Sequence, residues 1–444
     1  MPETQNIEYK SVWKDEYLKW ICGFANAQGG TLFIGKDDNG DITGVKNAGK
    51  LLEDLPNKIT SILGIVADVN LLETEHGDYI EVIVEPQSHP VNYKGEYHFR
   101  SGSTRQKLKG SALDMFLLKK QGKHWDSVPV PNVKIEDLSL IALQRFRNEA
   151  AKSGRVDEEV LSDSTEHLLQ DLQLIDDASG DLKRAAILLF HPKPEKFVTG
   201  AYVKIGFFRD DDDDLAFQDE VHGPLMEQID KAFGLLKSKY ITYAISYEGV
   251  SRREKPSFPV AALRESLLNA VAHKDYASGV PIQISVYPDR IVFWNSGNLP
   301  SSISIEQLLQ KHPSIPYNPN IANALFRCGD IEVWGRGYRK IIKAVLEHSQ
   351  LPPVIQDIGG LMLTYYTNAH TQLKAENIDG KIAQIIEYVI DNGSINNSDV
   401  QKLLNTSKPT ATRLLRQTET WLKKHGGRGQ GTVYVMKWQE LIGS

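Results

Sequence analysis

The sequence predicts an α+β chain of several domains: an N-terminal α/β module (residues 1–125), a connecting α/β region (126–255), a second α/β module (256–370) and a C-terminal helical unit (376–444). Three observations lead there. The 444 residues exceed what one core usually organises, at roughly 100–200 residues per domain. Strand-like runs (Thr31–Ile34, Tyr79–Val84, Ile282–Val286) interleave with stretches of helical spacing (Tyr17–Phe24, Leu138–Ala151, Val260–Tyr276). Proline-rich or polar breaks at Trp125–Val133, Lys255–Pro259 and Thr367–Gly380 divide the pattern.

Composition narrows the function classes. A net charge of −6 excludes a uniformly basic nucleic-acid coat, so any such binding must come from a local patch. Cys22 and Cys328 are the only cysteines, too few and too far apart for a disulfide framework or a Cys-rich metal site. No apolar run is long enough to span a bilayer, and the N-terminus has no signal pattern, so a soluble cytoplasmic protein is expected.

In the N-terminal module, Tyr17, Trp20, Ile21 and Phe24 mark a helix that stops before Gln28-Gly29-Gly30. Thr31–Ile34 follows as a buried-type strand, and Asp37-Asp38-Asn39-Gly40 reads as a tight turn. Tyr79–Val84 and Tyr97–Arg100 are further strands. A basic loop comes next, with Arg100, Arg105, Lys107 and Lys109 beside Ser101, Ser103 and Thr104, donors suited to phosphate. The strings IEYKSVWKDEYLKWICGFANAQGGTLFIGKDDNGDITGV and HFRSGSTRQKLKG resemble the AlbA-like domain shared by Schlafen proteins and many bacterial regulators. That resemblance implies nucleic-acid binding, DNA or RNA, with Arg100 and Arg105 as contacts. It also implies an alternative: some Schlafens cut RNA at a three-carboxylate site, whose acidic positions Glu3, Glu8 and Asp37 or Asp38 match. Such carboxylates can hold the divalent metal of a phosphodiester-cleaving centre, although Asp37-Asp38 is also ordinary turn chemistry and Lys10 can simply pair with Glu8.

The connecting region offers helices at Leu138–Ala151 and Glu166–Leu174, a strand-like run at Arg184–Phe190 and an alternating stretch at Ala201–Phe208. No chemistry is expected there. Asp210–Asp214 reads as a solvated loop, and His191 and His222 as structural or loop residues.

The second α/β module opens with a helix whose apolar stripe is Leu263, Leu267, Ala270 and Val271. Glu265, Asn269 and His273 recur every four residues and share its polar face. A carboxylate one turn from a carboxamide suits a nucleotide site: the Asn oxygen can ligate Mg²⁺ and the Glu can polarise a water. Ile282–Val286 and Ile291–Trp294 form a hairpin about Pro288-Asp289, running into Asn295-Ser296-Gly297. Gly335-Arg336-Gly337 then precedes a helix, where exposed amides favour phosphate. This order is similar to the GHKL ATP-binding fold, an α/β sandwich. ALRESLLNAVAHKDY, RIVFWNSGNLP and IEVWGRGYRKII resemble the divergent GHKL-like domain of bacterial "ATP-dependent DNA helicase-related" transcriptional regulators. The resemblance implies ATP and Mg²⁺ as cofactors, Glu265 as general base and Asn269 as the metal ligand. It places Asn295 and Gly297 at the adenine, and Gly335, Arg336 and Gly337 at the phosphates, with His273 on the same nucleotide-binding face. Where GHKL proteins usually carry Asp, this chain has Asn295, which can still accept a hydrogen bond from the adenine amino group. No Gly-x-x-x-x-Gly-Lys-Ser/Thr loop is present to support a helicase.

At the C-terminus, Ile382, Ile385, Ile386 and Val389 repeat at helical spacing up to Asp391-Asn392-Gly393. Asn397 or Ser398 can cap a second helix through Leu404. Ser407 can cap a third, with Pro409 in its first turn and Ala411, Leu414, Leu415 and Leu422 facing inward. Thr410, Thr412, Arg413 and Arg416 fall mostly on the opposite side. The glycine-rich stretch before the strand-like Thr432–Met436 reads as a hairpin, which makes the unit a winged helix-turn-helix. Between Lys402 and Lys437 the basic residues include Lys408, Arg413, Arg416, Lys423, Lys424 and Arg428, against Glu419 alone. That concentration favours duplex DNA, since neutralising phosphates releases counterions. The leading expectation is a DNA-binding transcriptional regulator with an ATP-binding domain, acting as a homo-oligomer because such proteins often read two half-sites. The alternative is a metal-dependent nuclease acting on RNA or DNA, in phage defence. A weak ATPase based on Glu265 is compatible with the first.

Overall fold

A computed structural model of the chain describes residues 3–248, 251–297, 299, 303–308, 313–332, 335, 337–348, 351–426 and 431–438. The chain divides into two compact units, Met1–Trp125 and Asp126–Ser444. None of the described helices is long and apolar enough to cross a membrane.

The first unit is built on a four-stranded sheet in the order Ile7–Lys10, Gly30–Ile34, Tyr79–Val84, Asp68–Leu72. The first pair is parallel and the others antiparallel. Helices Leu18–Asn26 and Ala48–Leu63 cover it through a core that includes Ile21, Phe24, Leu55, Ile59, Leu32, Ile34, Ile80 and Val82. A buried carboxamide staples a long loop to this core. Asn26 donates to the carbonyls of Val91 (2.7 Å) and His98 (2.8 Å) and accepts from the Val91 amide (2.9 Å).

The expected basic loop is in fact a hairpin, His98–Ser101 with Thr104–Lys107. Its geometry changes the role of Arg100. That side chain is fully buried; it donates to Glu8 Oε2 (2.7 Å) and to the carbonyls of Thr4 (2.7 Å) and Ile7 (3.0 Å), with the Trp20 ring 4.9 Å away. Arg100 therefore ties the N-terminal strand to the hairpin instead of reaching toward phosphate. Arg105 is half-buried, with Nη1 2.7 Å from His98 Nδ1. Burial and the neighbouring Arg105 charge hold the His98 imidazole down at about 4, so it stays neutral and accepts.

In the second unit a six-stranded sheet runs Val354–Asp357, Leu361–Tyr366, Arg290–Asn295, Ile282–Val286, Val203–Phe208, Leu215–Val221. The expected boundary at 255–259 thus lies, in sequence, between strands that join one sheet. Val203–Phe208 pairs in parallel with Ile282–Val286, so the connecting region supplies two strands to it. Arg184–Phe190, expected as a strand, is a helix with Ala185–Phe190 buried. A short, mostly apolar run carries no period that separates the two states. Leu140–Ser153 starts two residues later than expected because Ser139 is its cap, accepting from the Ala142 amide. Asp210–Asp214 lies in a turn between two strands with Asp210–Asp213 exposed, as expected of a solvated loop.

Beyond the sheet, helices Gly380–Asn392, Asn397–Leu404 and Lys408–Gln417 pack with a three-stranded sheet ordered Ile395–Asn396, Val433–Met436, Leu422–His425. Asn396, one residue before the expected caps, caps the second helix in a reciprocal pair with Asp399 (3.0 Å each way). Ser407 sits at the N-cap of the third, but its hydroxyl bonds Thr410 Oγ1 instead of a backbone amide. Leu422 is buried, yet it opens a strand and does not extend the third helix.

Truncating Arg100 leaves Glu8 without its buried guanidinium partner, so Arg100→Ala should destabilise the first unit by about 3–5 kcal/mol. Hydrogen exchange of the Ile21–Phe24 amides in the full chain measures this. A change below about 1 kcal/mol, well under the range for a broken buried pair, would mean that the pair does not anchor the strand.

Candidate functional site

The site grows from the helix Val260–His273. Its apolar residues Leu263, Leu267, Leu268 and Val271 are fully buried, and it ends because Lys274 turns to an extended conformation. Glu265 is only 7% exposed, and Asn269 and His273 are half-buried. These three line a cavity of about 260 Å³, together with Phe293, Asn295, Gly297, Leu361, Leu363, Glu332, Gly335 and Gly337. The volume is just below the roughly 300–1,000 Å³ usual for small-molecule sites. Burial raises the Glu265 carboxyl above its ordinary range, while Lys340 and Arg264 pull it back and Glu332 adds to the rise.

Two glycines permit this closeness. A Cβ on Gly337, the first residue of the helix Gly337–Glu347, would lie 2.5 Å from Glu265 Oε1 and 3.3 Å from Asn269 Nδ2. A Cβ on Gly297 would overlap the His273 carbonyl. The segment leading to Gly335 is clamped from elsewhere in the unit. Arg155 donates to the carbonyls of Phe326 (2.7 Å) and Ile331 (2.8 Å) and pairs with Glu332 (3.0 Å), while Arg264 meets Asp330 at 2.6 Å. The buried Asp126 caps the helix Pro319–Arg327, accepting from the amides of Asn320 (2.8 Å) and Ile321 (3.1 Å).

Asn295 ends the strand Arg290–Asn295, 4% exposed, and its Nδ2 has no hydrogen-bond partner among the described residues. The loop after it is stapled to the helix end: the Asp275 amide donates to Ser296 O (2.9 Å) and Ser296 Oγ to Asp275 O (3.1 Å). Two features here escape sequence reading. Lys274 is fully buried, its Nζ 4.2 Å from the Tyr276 ring centre and without a hydrogen-bond partner among the described residues. Buried Asn318 donates to the carbonyls of Ala272 (3.1 Å) and Lys274 (2.8 Å), closing the helix end.

Of the residues expected at the nucleotide, the structure therefore brings Glu265, Asn269, His273, Asn295, Gly297, Gly335 and Gly337 to one cavity; Arg336 lies outside the described residues. Of the expected acidic residues, Glu3 and Glu8 converge on Lys10, but among the described residues no three of them bring ligand atoms within 4.8 Å of one another. Glu8 is buried against Arg100 and Lys10, and Glu3 lies 3.5 Å from Lys10. Asp37 accepts from the amides of Asn39 (3.0 Å) and Asp41 (2.9 Å) as turn chemistry, with Asp38 beside it in the same turn. Among the described residues, the one group of three or more His, Cys, Asp or Glu side chains with ligand atoms all within 4.8 Å of one another is Asp163, His167 and Asp171, an i, i+4, i+8 pattern visible in the sequence. In the C-terminal unit Lys408, Thr412, Arg413, Arg416, Lys423 and Lys424 are exposed and Thr410 is half-buried. Arg428 lies outside the described residues.

Two family models match the chain. Residues 3–109 match the family described as "Schlafen, AlbA_2", and residues 279–364 match "Putative ATP-dependent DNA helicase recG C-terminal". The chain thus carries a Schlafen AlbA_2 domain and a recG C-terminal-like domain. The second match begins after Glu265 and Asn269, so geometry alone brings those two residues to it. No curated protein matches the chain. Among solved structures, the DIP2311 protein from Corynebacterium diphtheriae aligns at 18% identity over 99% of this chain and 94% of its own, with a TM-score of 0.49. The N-terminal domain of a "Putative ATP-dependent DNA Helicase RecG-related Protein" from Nitrosomonas europaea aligns at 24% identity, over 25% of this chain and 88% of that one, with a TM-score of 0.19.

Burial pushes the Lys274 ammonium down to about 8. The unfolded chain then holds the extra proton between about pH 8 and 10.5, so this group's contribution to stability rises with pH across that window. Lys274→Met should stabilise the protein at pH 7 by roughly 3 kcal/mol, the equivalent of the shift, and the gain should shrink toward pH 10. Urea unfolding of both proteins at about pH 7 and about pH 10 reads this. A gain independent of pH would refute it.

Proposed function

We propose that this chain is a DNA-binding transcriptional regulator that takes a nucleotide, ATP with Mg²⁺, in the cavity beside the Val260–His273 helix, and that occupancy controls DNA binding. The observation that carries the reading is the convergence of Glu265, Asn269, Asn295, Gly297, Gly335 and Gly337 on one cavity, in the unit that holds the recG C-terminal-like match. The chemistry is divided along it. At one end the N-terminus of Gly337–Glu347 abuts Glu265 and Asn269 and supplies backbone amides and a dipole that favour phosphate. At the other, Phe293, Leu361 and Leu363 offer apolar surface to a base around the Asn295 amide.

Asn269 would hold Mg²⁺ through its amide oxygen, and the ion would neutralise charge on the phosphates. Glu265, buried and with a raised pKa, is placed to hold a proton at its carboxylate beside that end.

The DNA-binding part of the reading rests on the C-terminal unit. Three helices with the strand order given above support a winged helix-turn-helix. Its third helix buries Ala411, Leu414 and Leu415 and exposes Lys408, Arg413 and Arg416. In the first unit, exposed Ser101, Ser103, Thr104 and Lys109 leave a second surface for nucleic acid, with Arg100 removed from it.

Asn269→Ala should weaken ATP–Mg²⁺ binding at least tenfold, measured by calorimetry on the full chain; unchanged affinity would remove the pocket from the proposal. Combined alanine substitution of Lys408, Arg413 and Arg416 should weaken duplex binding. It should also flatten the dependence of log K on log salt by roughly 0.9 for each phosphate no longer neutralised. Gel-shift titrations with and without ATP–Mg²⁺ read this. An unchanged slope, or DNA affinity indifferent to saturating nucleotide, would overturn the corresponding part.

A further inference from the structure

We propose that the hairpin of Tyr243–Glu248 and Ser251–Pro256 is a dimerisation arm, which docks on the edge strand Leu215–Val221 of a second copy of this chain while that copy's arm docks on the first. The interface is separate from the nucleotide pocket and goes beyond that reading.

The arm is a sheet of two strands that pairs with itself alone, in the register Tyr243 with Pro256 through Glu248 with Ser251. A two-stranded hairpin is marginally stable in water unless a third strand or another surface covers it. Its first strand alternates so that Tyr243, Ile245 and Tyr247 share one face. All three are exposed, Ile245 at 54% and Tyr247 at 72%. Large apolar side chains set together in solvent mark a contact surface.

The complementary surface lies beside the arm's root. Leu215–Val221 is the outermost strand of the six-stranded sheet, so one row of its backbone groups faces outward. Its second half carries charge, with Asp219 bonded to Lys239 (2.7 Å) and Glu220 to His222 (3.2 Å). The first half, Leu215-Ala216-Phe217-Gln218, is uncharged, and Leu215 and Phe217 are exposed. Tyr240, three residues before the arm, donates to Asp219 (2.6 Å) and sets its ring 5.2 Å from Phe217. The arm therefore rises from the flank of this strand.

Charge selects the occupant. The returning strand reads Ser251-Arg252-Arg253-Glu254-Lys255-Pro256, three cations to one acid. The turn that opens the edge strand is Asp210–Asp214, and its only ion pair among the described residues is Arg209 with Asp214 (2.9 Å). One chain thus carries an acidic turn with an open strand edge and a basic, apolar arm. Two copies related by a twofold axis match both pairs at once. A nucleic acid would meet the aspartates as well as the cations and leave the apolar face uncovered. The arm, the edge strand and the turn supply about two dozen residues per copy, within the roughly 20–30 a side of a stable interface.

The experiment is sedimentation of the full chain over a concentration series, at low and high salt. The wild type should dimerise with a dissociation constant in the micromolar range or below, weakening as salt screens the exposed charges. Ile245→Ser with Tyr247→Ser should weaken association at least tenfold, as expected where aromatic and aliphatic anchors are removed. Two charge reversals then test the pairing. Asp210→Lys, Asp211→Lys and Asp213→Lys together should weaken the homodimer, and so should Arg253→Glu with Lys255→Glu. An equimolar mixture of those two reversed proteins should restore dimers, since each arm then meets an opposite turn. A wild type that stays monomeric, a dimer indifferent to the serine pair, or reversals that the mixture does not restore each overturns the proposal. So does a loss of DNA affinity in the arm reversal without any change in association. Should a reversal fail to fold in a thermal melt, the serine pair decides by itself.

Discussion

The second unit depends on how completely the helix Val260–His273 is enclosed. It packs against the helices Gly337–Glu347, Leu225–Leu235 and Pro319–Arg327 and the strand Arg290–Asn295. Leu263, Leu267, Leu268 and Val271 are withdrawn entirely from water, each large apolar side chain contributing about 1.5–3 kcal/mol. That gain holds the helix in one rotation. Glu265 and Asn269 are then carried into the cavity despite the cost of desolvating a carboxylate, which shows in the raised Glu265 pKa. Their chemistry follows from apolar packing on the other side of the same helix.

Sheet topology explains why this helix is there. Val203–Phe208 and Ile282–Val286 are parallel neighbours, and a parallel pair needs a long crossover between its strands. The site helix lies within that crossover. The chain re-enters the sheet at Ile282–Val286, turns through the hairpin to Arg290–Asn295, and presents Asn295 against the end of the helix it has just left. Gly297 and Gly337 then let two backbone segments approach closer than any side chain would allow.

The legible parts of this arrangement were local. Glu265, Asn269 and His273 share a face by helical spacing, and the glycine positions follow from turns and a helix start, so the sequence singles out residues that the structure gathers at one cavity. What was hidden depended on distant partners. Arg100 reads as one more cation in a basic loop, and only its pairing with Glu8, 92 residues away, makes it an anchor. The same holds for the acidic residues: Glu3 and Glu8 meet at Lys10, Glu8 is also committed to Arg100, and Asp37 to its own turn, partners that spacing in the sequence does not show. Arg184–Phe190 failed for want of period, and the 255–259 break lies between strands that join one six-stranded sheet.

A regulator of the kind proposed would need a path from the cavity to the C-terminal unit, and packing is continuous between the two. Leu361 and Leu363 line the cavity, and the strand they belong to leads directly into the helix Ala369–Ala375. Ala369 and Leu373 of that helix, with Leu351, belong to the same core as Ile385, Ile386, Leu414 and Leu415. The helix Gly337–Glu347, whose first residue abuts Glu265 and Asn269, ends shortly before Leu351. Both walls of the cavity therefore run into the core beneath the basic helix. Tight side-chain packing transmits a shift as a change between discrete arrangements, not as a gradual deformation. A nucleotide moves that equilibrium only by binding one arrangement more tightly than the other. Amides at the start of Gly337–Glu347 that meet phosphate in one arrangement and not in the other would supply that difference, at the point where the two walls meet.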